Sequence, residues 1–454
     1  MTTKITEKNI SNVANFAVQW QAIHVADGST ALSVTAGKGY FVDTTSGAQT
    51  INLPSLDDST LGDTIMVKDY ARTFGTNSIT IASNTLDGAT NTKSFDTSGQ
   101  TLTFVFMGNT KGWSLINEDT TSDLGREYIS ATGGTIATSG DFKLHTFTGD
   151  GCFVVSCAGN SAGSNTVDYL VVAGGGGGGR DDFGSYPQQR MGSGAGAGGF
   201  RMSNGYCLPA PTTSPLAVPA GITVTAQTYP VTVGGGGTGA TPCNSGPGIA
   251  VTGTKGSNSV FSTITSAGGG GGRGHSPGPP GGGPAPEAGA RTNGGSGGGG
   301  YSTNLYGGSP GPQVLAGAGN QPPVSPPQGN NGGAEVGPPG FGGAGGGGAG
   351  AAGTQAPGTL GTGAVGGIGS FVSPSFAGSN GEGSGPVSCV QYFAGGGGAW
   401  PANAGGHGGG GNGGGHPQTA AGSANTGGGG GGNRAGNGGA GGKGIVILRY
   451  KFQN

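Results

Sequence analysis

Side chains able to do chemistry are sparse in this chain, and their spacing decides what they could do. General acid–base work on a glycosidic bond needs two carboxyl groups about 5–10 Å apart across a cleft. Within residues 171–454 the acidic residues are Asp181 and Asp182, which are adjacent, and Glu287, Glu335 and Glu382, which are isolated. Asp57 and Asp58 fall in a stretch that reads as a turn. His407 and His416 could bind a metal, but no carboxylate accompanies them. The five cysteines, Cys152, Cys157, Cys207, Cys243 and Cys389, are scattered and form no C-x-x-C pair, which argues against zinc. They read as small buried hydrophobes. No phosphate-binding loop occurs. The expectation is a protein with no enzymatic activity, no metal and no cofactor.

Recognition by contact is the other chemistry available. Six short segments interrupt a glycine-dominated region: residues 180–186, 301–306, 321–328, 371–376, 399–402 and 416–419. Several carry an aromatic residue near proline, glycine or asparagine, the composition of binding loops on a rigid support. Phe183, Tyr186, Tyr301, Tyr306, Trp400 and His416 are the candidate contacts, with rings suited to stack on sugar faces or on protein loops. The plainer reading is that these rings cap the ends of a slab and keep water off glycine amides.

What must position them is glycine itself. Of 112 glycines, 94 lie in residues 171–454. Collagen needs glycine strictly at every third residue, and tracts such as 294–300 and 405–411 break that register. The alternative is polyglycine II, an extended left-handed helix of three residues per turn and about 3.1 Å rise. It makes no internal hydrogen bonds, so its amides point outward at 120° intervals and neighbouring helices can exchange N–H···O=C bonds. Bare backbone is what permits that approach, and any side chain aimed into the lattice is expected to hold helices apart.

Ordering each residue costs about 1–2 kcal/mol, most for glycine, against about 0.5–1.5 kcal/mol for one net hydrogen bond. A single tract therefore cannot order itself. A stack clamped by β-strands can. Composition alone is equally compatible with a flexible chain, but strand-like runs are interleaved with the tracts. The runs at 141–173, 220–264 and 444–452 are expected to frame them, the last pairing back with strands near residue 150 or 170.

Upstream, residues 37–117 contain short runs of β-branched and aromatic residues, several alternating, with turn residues between them. They read as a small antiparallel β-sandwich. The whole chain is thus expected to be mostly β: an N-terminal segment (1–36), the sandwich (37–117), a polar linker (118–128) and a glycine-rich domain (129–454). The cluster Phe16-Ala-Val-Gln-Trp20 reads either as an element packed on the next domain or as a docking segment.

Charge is low and split. Residues 1–170 carry 9 Lys and Arg against 16 Asp and Glu, and residues 171–454 carry 10 against 5. A net +5 over the second region is too dilute to track phosphates, so nucleic acid is not an expected partner. The first residues lack a signal-peptide core, and no apolar stretch approaches the roughly 18 residues of a membrane span. Synthesis in the cytosol, without membrane insertion or a recognisable export route, is expected.

The strings Val167-Asp-Tyr-Leu-Val-Val-Ala173 followed by glycines 174–179, Gly198-Gly-Phe200, Tyr229-Pro-Val-Thr-Val-Gly234, Gly256-Ser-Asn-Ser-Val-Phe261 and Gly441-Gly-Lys-Gly-Ile-Val-Ile-Leu-Arg-Tyr450 occur in this order. Together they resemble the glycine-rich domain of tailed-bacteriophage tail-fibre and adhesin proteins, over roughly residues 126–454. Gly39-Tyr-Phe-Val-Asp-Thr-Thr-Ser-Gly47, Gly62-Asp-Thr-Ile-Met-Val-Lys-Asp-Tyr70 and Thr110-Lys-Gly-Trp-Ser-Leu-Ile-Asn117 look like the β-domain that accompanies it in phage fibres. The resemblance implies a virion component, made in the host cytoplasm and trimeric, whose N-terminal segment attaches to tail or baseplate proteins. It also implies that loops on the slab bind a host glycan or outer-membrane protein. A purely structural virion part, such as a head fibre, decoration protein or connector, is the alternative. The proline content and the long 301–328 and 370–394 inserts depart from the family pattern.

Overall fold

The computed structural model describes residues 18–82, 85–88, 92–116, 126–161, 163–180, 192–208, 212–241, 252–274, 291–300, 316–334, 342–356, 362–401, 403–414, 420–434 and 436–453. The chain divides into two compact units. One comprises residues 1–129 with 158–165 and 452–454; the other comprises 130–157 and 166–451. Both contain β-strands, and Pro374–Ala377 is a four-residue helix.

In the first unit the strands are β1 (Gln19–Trp20), β2 (His24–Val25), β3 (Leu32–Ser33), β4 (Lys38–Asp43), β5 (Gln49–Asn52), β6 (Thr64–Asp69), β7 (Ile79–Ala82), β8 (Lys93–Phe95), β9 (Thr101–Phe106) and β10 (Trp113–Leu115). They form two sheets, one of β1, β2, β4, β6, β9 and β10 and one of β3, β5, β7 and β8. Alternation sets the buried face: every second residue of β6 and β9 is buried. Val42, Ile51, Ile65, Val67, Ile81, Phe104 and Trp113 belong to one core. The Trp113 indole donates to the Pro54 carbonyl at 3.1 Å.

The two-sheet, mostly-β expectation holds, but its all-antiparallel ladders do not. β1 and β2 pair parallel with β4, β4 with β6, β3 with β5, and β5 with β7; only the pairs β6–β9, β7–β8 and β9–β10 are antiparallel. From β2 to β7 the chain crosses to the other sheet after every strand, so it returns to each sheet in the same direction, as a solenoid does. Alternation reports which face is buried and is silent about direction, which is why the sequence pattern read as antiparallel.

In the second unit the terminal strand Ile445–Lys451 lies between Phe142–Phe147 and Thr166–Val172, antiparallel to both. The expected pairing near residue 170 is therefore present, and the second partner is Phe142–Phe147. Gly151–Ala158 belongs to a different sheet with Thr228–Thr232, Ser259–Phe261 and Ile264–Ser266. Pleating splits the terminal strand's side chains. Ile445 and Ile447 enter a cluster with Leu170, Val172, Phe200, Val372, Phe376 and Phe393. Tyr450, on the opposite face, meets His145 and Phe153, at ring-centroid distances of 5.5 and 6.0 Å.

Glycines 174–179 leave this sheet directly, and their hydrogen bonds repeat every third residue. The N–H groups of Gly174 and Gly177 donate to Ser257 and Thr254, those of Gly175 and Gly178 to Gly442 and Gly439, and those of Gly176 and Gly179 to Gly196 and Ser193. Their carbonyls accept with the same period, from Gly269 and Gly272, from Gly237 and Ala240, and from Gly430 and Asn433. One tract thus exchanges bonds with six neighbours, which is the hexagonal packing that a threefold extended helix permits. A Cβ added at any glycine from 174 to 179 would lie within 2.2 Å of a neighbouring backbone oxygen. Glycine is obligatory there.

The expectation that any side chain would hold the helices apart is too strict. Ser193, Ala195 and Ala197 are fully buried in a neighbouring tract. Ala197 directs its methyl group into the apolar cluster shared with Ile447, and the Ser193 hydroxyl donates to the Gly300 carbonyl at 2.6 Å. One-carbon side chains are accommodated where they meet a cluster or an acceptor.

Candidate functional site

The tracts run alternately away from the sheets and back: Gly176 pairs with Gly196 and Gly179 with Ser193, which sets residues 192–199 antiparallel to 174–179. Their far ends form one hydrogen-bonded layer. Within it Gly192 donates to Asn433, Asn433 to Gly179, Ser193 to Arg273, Ala344 to Gly300, Gly300 to Gly333, Ala356 to Ala334, Gly414 to Gly432 and Gly438 to Ala240.

That layer contains described residues that flank the binding candidates in sequence. Phe183, Tyr186, Tyr301, Tyr306 and His416 lie outside the described residues. The described residues that bracket them, Arg180 and Gly192, Gly300 and Ala316, and Gly414 and Ala420, belong to the far ends of their tracts. Trp400 is described and reaches the same layer: its N–H points at the Gly192 carbonyl, 3.4 Å away. The Arg434 guanidinium lies 5.4 Å from the centroid of its half-buried ring. Trp400 therefore joins the layer through its backbone, with its ring beside Arg434.

Two of the six interrupting segments go elsewhere. Residues 321–328 and 371–376 connect tracts at the sheet end. Gln328 accepts from Phe200 through its backbone carbonyl and from Ala267 through its side chain, both at 2.8 Å. Phe376 is buried beside Ile445 and Ile447. Their composition resembles that of the other four, but their partners are core groups.

Three carboxylates of this unit accept from backbone N–H groups. Asp168 accepts from the Ser203 hydroxyl and from the N–H groups of Gly205 and Tyr206. Asp150 accepts from Val233. Glu382 accepts from Gly408 and Gly409, two consecutive glycines with positive φ that aim both N–H groups at one oxygen. Among the described residues no group of three metal-ligating side chains occurs.

Sequence reasoning missed the polar plugs. Asn330 donates to the carbonyls of Gly348 and Ala349 at 3.0 and 2.9 Å, and buried Gln328 bridges Ala267 and Pro322. Their only signal was an amide side chain flush against a glycine tract.

No helix among the described residues is long and apolar enough to cross a membrane. None of the curated proteins compared with the chain matches it. Residues 149–451, more than half of the sequence, match the family model described as a glycine-rich domain, and the chain belongs to that family.

Proposed function

We propose that this chain is a bacteriophage virion protein, a tail fibre or fibre-tip adhesin that binds a host surface glycan or outer-membrane protein without catalysis. One observation carries the reading. The tract ends flanking Phe183, Tyr186, Tyr301, Tyr306 and His416, together with Trp400, share a single layer opposite the sheets. A rigid lattice that gathers several connections at one end presents them together, and pre-organised loops lose little entropy on contact. Several copies per fibre, as in the homotrimer that the resemblance implies, would turn weak contacts into avidity. Attachment through the N-terminal segment to tail or baseplate proteins belongs to the same proposal.

The test is a loop exchange on the phage. Replacing residues 301–315 and 415–419 with Gly-Ser segments of equal length, or introducing Trp400→Ala, is expected to lower adsorption at least tenfold while particle yield stays unchanged. Unaltered adsorption across all three changes would favour the structural virion part instead.

A further inference from the structure

We propose that His145 is a proton-operated latch on the terminal strand, so that acid loosens the clamp holding the glycine lattice. The inference concerns the fold and stands apart from the adhesin reading. His145 has no solvent exposure. It lies in Phe142–Phe147, paired in register with Leu448 of the terminal strand. Both ring nitrogens are engaged: Nδ1 is 2.7 Å from the Gly133 carbonyl and Nε2 is 3.1 Å from the Tyr450 hydroxyl.

The partners fix the tautomer. The Gly133 carbonyl can only accept, so Nδ1 carries the hydrogen and Nε2 accepts from the Tyr450 hydroxyl. That hydroxyl also meets the backbone of Ala131, and its pKa is pushed up to about 12, chiefly by burial. It stays protonated and donates. A proton added to Nε2 turns an acceptor into a donor facing a donor, so the Tyr450 hydrogen must find another partner in a buried site.

No opposite charge among the described contacts meets the added proton. The imidazole and Phe153 are near-perpendicular at 5.0 Å, and Phe261 lies 6.0 Å from Phe153. The titratable groups facing the ring are Tyr450 from the terminal strand and Lys143 from its own strand, the latter a like charge. Arg449 projects to the opposite face, beside Asp168 and Phe142. Among the described contacts of the ring there is no carboxylate. Burial first, then Lys143, hold the imidazole below its ordinary value of 6.5, against the opposing Gly133 bond.

The sign follows. The unfolded chain takes up a proton near pH 6.5, while the folded site resists until lower pH. Between those values the unfolded state binds more protons, so stability falls as pH falls. The contribution is complete above about pH 6.5, and below it the unfolding equilibrium constant rises by up to about tenfold per pH unit.

The experiment uses the full chain. Carbon-labelled histidine spectra between pH 8 and 4.5 should show one imidazole, assigned through His145→Phe, that stays neutral below the ordinary value of 6.5. Thermal unfolding of the wild type should lose stability from pH 6.5 to 5, and amides of residues 445–451 should exchange faster after correction for intrinsic rates. His145→Phe should be less stable at pH 7.5 but lose less on acidification. If the His145 signal titrates at 6.5 in the folded protein, the latch does not exist. Parallel acid losses in wild type and variant would also overturn it. The wild-type titration decides even if the variant fails to fold, with His145→Gln then supplying the assignment.

Discussion

At the residue scale, the absence of a side chain is the specific feature. Gly177 lies at the centre of the lattice, where a Cβ would come within 2.0 Å of the Thr238 carbonyl oxygen. Gly235, on a neighbouring tract, is exposed and has nothing within 4 Å of the same position. Overpacking a filled interior costs about 1–3 kcal/mol when neighbours can shift, and a backbone oxygen bonded into a lattice has little room to do so. Gly177→Val is therefore expected to destabilise by about 3 kcal/mol or more. Gly235→Ala should be neutral, or stabilising by up to about 1 kcal/mol through the unfolded chain. Chemical denaturation of the two variants checks the contrast. Equal effects would mean that the tracts are interchangeable and that no lattice distinguishes inside from outside.

Elements decide whether the lattice forms. The terminal strand has apolar groups on two fronts: Ile445 and Ile447 toward the cluster with Phe376 and Phe393, Tyr450 toward His145 and Phe153. Removing the Ile447 side chain to Ala should cost about 2–5 kcal/mol. It should also raise amide exchange in residues 174–179, which the strand does not touch through Ile447 itself. Protection of the tract that survived this change would show that the sheets are not needed to hold it.

How much of this was legible depends on the element. The near-continuous apolar run at 445–450 read as a strand pairing back near residue 150 or 170, and it pairs with Phe142–Phe147 and Thr166–Val172. Tract order and the loss of collagen register pointed to threefold helices. Direction was hidden in β4, β5, β6 and β7, because parallel and antiparallel strands share one alternation. The roles of Gln328, Asn330 and Glu382 were hidden too: what they bond is backbone brought from distant tracts, and no local pattern records it. Among the candidate contacts, composition grouped residues 321–328 and 371–376 with the rest. Only the tract directions separate the sheet end from the far end.

For the whole molecule, the account rests on backbone amides binding backbone carbonyls across tracts far apart in sequence. Each net bond contributes about 0.5–1.5 kcal/mol against about 1–2 kcal/mol of ordering per residue, so order comes from the stack and its sheets together. The gathering of connections at one end, and the adsorption loss expected when they are replaced, both require that stack to be rigid. Hydrogen exchange of the intact chain, read at residues 174–179, tests it most directly. The account predicts protection in the same slow class as residues 445–451. Exchange of those glycine amides at the rate of an unstructured chain would contradict it.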